Sequence, residues 1–316
     1  MGHTVAVLSL HGIGRTKPGY SAPLVRALTK RLTRRLGAEA GRHNPAVVFE
    51  EVNWSAALQA AENRLWKRLR PAAPLRYERL RHFMLDSAAD AIAYQPIHSD
   101  RSAYDSIHAE VAASLGRLAA RAGETAPLCV IAHSLGTVIA SNYLYDLMKK
   151  RCSFLAPRVN ASIGGTPIER GETLALFYTM GSPIALWSLR YPDFGVPICF
   201  PPHELARHHP GVQARWINLY DPDDVIGYPL RPLNARYSAA VTEDRPVNVG
   251  SWLTSWNPLA HTGYWGDGRV ADLISIDIAD TWRRSRSLAV VRSPVGARRK
   301  LARGTRIAGS RSARER

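Results

Sequence analysis

Ser134 stands in the stretch LCVIAHSLGTVIA, Leu128 to Ala140, where residue types and spacing suggest nucleophilic chemistry. Leu128 to Ala132 is an apolar run long enough for a buried strand, and the residues from Gly136 to Lys150 carry a helical apolar pattern. Between them, Ala132-His133-Ser134-Leu135-Gly136 nearly matches the G-x-S-x-G turn. Such a turn holds a serine at a sharp strand-to-helix corner with its hydroxyl projecting above the sheet. Small residues are needed two before and two after the serine because the two backbones nearly touch there. Ala132 is small enough for the first place, and Gly136 takes the second.

A serine hydroxyl is a weak nucleophile near neutral pH. It needs an imidazole to take its proton and a carboxylate to hold that imidazole in one tautomer. After turns of this kind the acid and then the base follow along the chain. Just past an expected strand, Arg215 to Tyr220, stand Asp221, Asp223 and Asp224, and the one histidine beyond them is His261. Asp221 abuts the strand and is placed to cap the turn. Asp224 has loop enough to bend back under the imidazole and is the favoured acid. Asp221 and Asp223 stay as alternatives, because turns use aspartate heavily. His11 and His133 lie next to the site but are held by their own turns, so they are expected to shape it, with His261 as the base.

Near the start, an expected strand from Thr4 to Ser9 feeds His11-Gly12-Ile13-Gly14. Glycines at Gly12 and Gly14 allow the backbone to turn an amide N–H toward a reacting carbonyl, although a plain glycine turn has the same composition.

Several elements must position these residues. Pro23 to Leu36, with Leu24, Leu28, Leu32 and Leu36 among basic residues, reads as an amphipathic helix. Ala46 to Val52 reads as a strand, and residues 55–100 as a helical insertion. Its first helix carries Leu58, Ala61, Leu65 and Leu69 on one face and Arg64, Lys67, Arg68 and Arg70 elsewhere; Pro71 and Pro74 break it, and a second helix is expected from Leu75 to Ala93. Ser102 to Ala122 reads as a helix ended by Gly123, and Thr173 to Thr179 as a strand turning at Gly181. A proline-rich loop from Arg190 to Gly211 follows, then a last short strand at Val247 to Gly250 and a closing helix from Asp267 to Trp282. The alternation predicts an α/β fold, a mostly parallel sheet covered by helices on both faces. His203-Glu204 opens a motif like H-E-x-x-H, but Arg207 occupies the second ligand position, so no metal is expected.

Taken together, His11 to Gly14, Ala132 to Gly136, Asp221 to Leu230 and His261-Thr262-Gly263-Tyr264-Trp265 resemble the α/β-hydrolase superfamily in its lipase and serine-esterase branch, over roughly residues 4–282. Ala132 resembles the form found in some small lipases. The resemblance implies Ser134 as nucleophile, Asp224 as acid, His261 as base and the amides of Ile13 and Leu135 as oxyanion hole. It implies a cap built from the 55–100 insertion, beside the plainer reading of a helix pair packed on the core with solvated charges. It also implies cleavage of a small-molecule carboxylic ester, acyl or lipid in kind, with no metal or organic cofactor. Trp54, Trp187, Trp256, Tyr264 and Trp265 are candidates for an acyl pocket or for the core. An acyltransferase or a thioesterase would use the same residues, and a non-catalytic binding protein would use the same scaffold.

Composition narrows the field further. The 316 residues are 46% hydrophobic, enough for one large domain, expected over 1–282. The net charge is +16, but Arg283 to Arg316 holds twelve Lys/Arg against one acid, so residues 1–282 carry only +5. The excess belongs to a basic tail, 283–316, expected to be disordered. Nonspecific contact of this tail with anionic membrane or nucleic acid is open on charge grounds. Aromatic residues for base stacking are missing beyond Trp282, which favours a plain solvated extension. Three cysteines (Cys129, Cys152 and Cys199) imply no disulfide framework. With no apolar run of spanning length and no signal-like start, a cytoplasmic location is expected.

Overall fold

The computed structural model describes residues 4–14, 16–37, 45–69, 90–96, 100–148, 155–250 and 258–292. Its centre is a six-stranded, all-parallel sheet: β1 (Val5–Leu10), β2 (Val47–Val52), β3 (Leu128–His133), β4 (Leu174–Met180), β5 (Arg215–Tyr220) and β6 (Glu243–Pro246), in the order β2-β1-β3-β4-β5-β6. Strands β1, β3 and β4 are buried at every residue, as runs such as VAVLSL and LALFYTM require when both faces are covered.

Alternate residues of β1 to β5 feed two cores. On one face Leu8, Leu10, Val130 and Phe177 pack with α2 (Ala56–Leu69), α3 (Ser102–Ala122) and α4 (Leu135–Met148). On the other, Val7, Ile131 and Tyr178 pack with α1 (Ala22–Leu36) and α5 (Gly268–Arg292). The leucine stripe predicted for α1 is buried at Leu24, Leu28, Leu32 and Leu36.

Chain order reverses direction between β1 and β3: β1 leads outward to β2, and the chain then returns to β3 on the other side. The carboxyl ends of two such strands diverge and leave a crevice, the usual ligand position in an open α/β sheet. Gly12 follows β1 and Ser134 follows β3, so both lie at this point.

Two expectations need correcting. The last strand is Glu243–Pro246, one step before the expected Val247 to Gly250. Its charges hid it: Asp244 accepts from Asn218 Nδ2 at 2.8 Å and Arg245 pairs with Glu243 at 2.7 Å, so polar side chains are satisfied at the sheet edge. The closing helix does not stop at Trp282 but runs to Arg292, so residues 283–292 are helical and not part of a disordered tail. Arg283 donates to the Arg35 carbonyl at 2.6 Å, and Arg286 lies over the Trp282 ring at 4.3 Å. The remainder of the expected tail, 293–316, lies outside the described residues. Within the insertion, α2 contacts α3 and buries Leu58, while Leu65 and Leu69 are exposed. Of the second expected helix only residues 90–93 are described as helical. No helix among the described residues is long and apolar enough to cross a membrane.

Candidate active site

Ser134 occupies the corner between β3 and α4 with φ of 54°, a left-handed conformation that costs a non-glycine residue about 1–2 kcal/mol. Three hydrogen bonds hold it there: Ser134 N–H to the Met180 carbonyl at 3.0 Å, and the Thr137 N–H and hydroxyl to the Ser134 carbonyl at 2.9 and 2.7 Å. At about 1 kcal/mol each they offset the strain. The turn also needs its glycines. A Cβ on Gly136 would stand 2.4 Å from the His11 carbonyl oxygen, and one on Gly12 would stand 2.6 Å from Ser134 Cβ. The two loops therefore touch backbone to side chain.

From Ser134 a line of hydrogen bonds runs through His261 to Asp224. His261 Nε2 lies 2.9 Å from Ser134 Oγ, and Nδ1 lies 3.0 and 2.9 Å from the two Asp224 oxygens. Residues 127 positions apart along the chain meet here. Asp224 is fully buried at its side chain and His261 is 13% exposed. Burial on its own would raise the Asp224 pKa, but bonds and charge from His261, the Ile226 amide at 2.9 Å and the Tyr264 hydroxyl at 2.9 Å outweigh it. The carboxyl is held below its ordinary value.

The three aspartates after β5 take different places. Asp221 receives the Asp223 amide at 2.9 Å and the Val249 amide at 2.6 Å, so it ties the turn to the chain beyond β6. Asp223 contributes its amide to that turn, and Asp224 alone of the three meets His261.

Around the line sit the two remaining histidines. His133 Nε2 donates to the His261 carbonyl oxygen at 2.8 Å, fixing the backbone of the residue whose ring faces Ser134. Burial and the neighbouring His261 push its pKa down to about 3, so it is a neutral donor. His11 Nδ1 lies 2.7 Å from the Gly12 carbonyl oxygen and 2.9 Å from Thr16 Oγ1, and its ring stacks on Trp54 at 4.6 Å. Trp54 Nε1 donates to the His11 carbonyl at 3.0 Å, and burial lowers the His11 pKa to about 4. Among the described residues no acceptor of the chain takes the amides of Ile13 or Leu135, whereas the Gly14 amide is held by Asp90 at 2.7 Å.

Sequence reasoning missed several residues that make this possible. A Cβ on Gly181 (φ 53°) would lie 2.7 Å from Asp224 Oδ2 and 3.1 Å from His261 Nδ1, and one on Gly227 would lie 2.8 Å from Asp224 Oδ2. Both glycines leave room for the carboxylate. The Gly181-Ser182-Pro183 signal showed a turn, and nothing local showed what the turn had to avoid. Tyr264 is legible in the sequence as part of the His261 to Trp265 motif and as an aromatic candidate for pocket or core, not as a partner of the acid; its hydroxyl joins Asp224 and the Asp221 amide, the latter at 2.8 Å. Asp90 carried no signal at all. Of the other aromatic candidates, Trp54 is buried under the His11 loop, Trp265 meets the His133 and Tyr20 rings, and Trp256 lies outside the described residues. His203 faces Cys199 at 3.5 Å and His208 faces Glu172 at 3.0 Å, so the near H-E-x-x-H motif does not converge on one point. The chain matches no protein-family model, no curated protein and no solved structure.

Proposed function

We propose that this chain is a serine hydrolase of the α/β-hydrolase type that cleaves carboxylic esters through an acyl-enzyme on Ser134. The observation that carries the reading is the Ser134–His261–Asp224 line, built on a strained serine at the switch point of a parallel sheet. In this reading His261 Nε2 takes the Ser134 proton as Oγ attacks the ester carbonyl. Asp224 accepts from Nδ1–H and steadies the imidazolium. The amides of Ile13 and Leu135 receive the developing oxyanion, Leu135 from the first turn of α4, where the helix dipole favours negative charge. His261 then gives its proton to the leaving alcohol. Water, deprotonated by the same imidazole, attacks the acyl carbonyl, and the imidazolium returns that proton to Ser134 Oγ as the carboxylic acid leaves. These steps are carried by side chains and amides of the chain, with no metal or organic cofactor. The 55–100 insertion serves as the cap.

Labelling with a fluorophosphonate probe tests this. Wild-type protein is expected to label at Ser134 and to hydrolyse p-nitrophenyl esters, and Ser134→Ala to do neither. Equal labelling of both proteins, or of neither, defeats the proposal and leaves a binding role for the scaffold. Acyl transfer is the second reading, since an acyltransferase would use the same line of residues around a serine that is only 3% exposed. Acyl transfer to an added alcohol in preference to water would establish it.

A further inference from the structure

We infer that the acyl half of the substrate is a long, unbranched chain lying in a trough along one stripe of α4, with a waist at Tyr145 and Val196. This inference rests on the ester-hydrolase reading above.

α4 is apolar on more than its core side. Ile139, Tyr143, Leu144 and Leu147 are buried in the core beneath the helix. A second stripe, Val138, Asn142, Tyr145 and Met148, follows the three- and four-residue spacing of a single helix face; its one amide, Asn142, donates to the Tyr94 hydroxyl at 3.2 Å. Two cavities lie along it. The first, about 280 Å³, is bounded by Val138, Asn142 and Tyr145 of the helix and by Ile184, Trp187 and Phe194 from the chain after β4. The second, about 450 Å³, is bounded by Tyr145, Met148, Ile198, Cys199, Arg236 and Ala239. Tyr145 and Val196 border both, so the cavities meet at these two side chains.

The near end of the trough, at Val138, lies one helical turn along α4 from Ser134. The opposite wall begins at Ile184, just after Ser182, whose Oγ lies 2.8 Å from Thr137 Oγ1. The far end, at Met148, is fourteen residues past Ser134, about 21 Å along a helix rising 1.5 Å per residue. Among the residues bounding the two cavities, Arg236 is the one charged side chain, and it stands at the far end. A polar acyl group would lose its hydration in the first cavity without a charged partner. An aliphatic chain gains from the same walls, and one that passes the waist gains from both cavities.

Cys199, an exposed free thiol on the far cavity, reports occupancy directly. The protein is first reacted at Ser134 with p-nitrophenyl alkylphosphonates bearing a butyl or a hexadecyl group in place of the acyl chain. Iodoacetamide alkylation of Cys199 is then followed by peptide mapping. The hexadecyl adduct is expected to slow alkylation about tenfold, as for a site left open a tenth of the time, with no slowing by the butyl adduct. Equal alkylation of the two adducts overturns the trough while leaving the hydrolase reading intact. Failure of both phosphonates to react at Ser134 overturns the hydrolase reading and the trough with it. A second measurement avoids inhibitors: Ala239→Trp, which fills the far cavity from an exposed position, is expected to lower the ratio of kcat/KM for p-nitrophenyl palmitate over butyrate roughly tenfold. An unchanged ratio overturns the trough.

Discussion

Asp224 shows how one carboxylate is selected from three near neighbours. Its partners are His261, Tyr264 and the Ile226 amide, and together they overcome the cost of burying a charge. Asp224→Asn should therefore keep the fold but offer Nδ1 the wrong partner, and steady-state hydrolysis should show kcat down about 10⁴-fold. Gly181→Ala places a methyl carbon 2.7 Å from Asp224 Oδ2 on a backbone of positive φ. Crystallography should show Asp224 or His261 displaced, and kcat/KM should fall about 10²-fold, the usual consequence of misplacing a reacting group by roughly 1 Å. Tyr264→Phe removes one hydrogen bond to Asp224 and strands the Asp221 amide; urea unfolding should report a loss of about 1–3 kcal/mol. Ser134, Asp224 and His261 could be read in the sequence because acid–base chemistry restricts residue type and chain order. Gly181 and Tyr264 could not, because their role is to make or fill space around a side chain some forty residues away. That relation exists only in three dimensions.

Among the elements, those with strong apolar patterns were legible: β1, β3, β4, β5, α1 and α3 lie within a residue or two of their expected bounds. β6 was not, because Glu243, Asp244 and Arg245 obey side-chain pairing at a sheet edge rather than hydrophobic alternation. The end of α5 was misread for a related reason. Past Trp282 its arginines look like a solvated run, yet Arg283 reaches the C-terminal end of α1 and Arg286 covers an indole ring. A chain ending at Trp282 should consequently melt lower than one ending at Arg292, by about 2–4 °C per kcal/mol lost, as thermal denaturation would show. Equal melting temperatures would mean that these contacts contribute nothing.

For the molecule as a whole, acid is the informative stress. His11, His108 and His133 are buried, and burial pushes their pKa values down to about 4, 3 and 3. In the unfolded chain the same imidazoles take up protons as pH falls through about 6.5. Between these values the unfolded state binds more protons, so stability drops on acidification by about 1.4 kcal/mol per pH unit for each histidine. The decline should begin near pH 6.5 and level off once the folded histidines titrate. Urea midpoints across pH would trace it, and His108→Gln should reduce the slope near pH 5 by about one third. Asp224 acts in a lower window. Its depressed pKa adds stability above its ordinary value of 3.8, and this is lost as pH falls below it.

In the proposed mechanism, the spacing of 127 residues between Ser134 and His261 also sets when the protein can first act. A ribosome releases the serine, its elbow and the first four strands well before it makes the imidazole. In the proposed mechanism the growing polypeptide thus carries its nucleophile without the base that activates it. On that reading the site is complete only once His261 has been made and the chain beyond β6, through the Val249 amide, has joined the Asp221 turn.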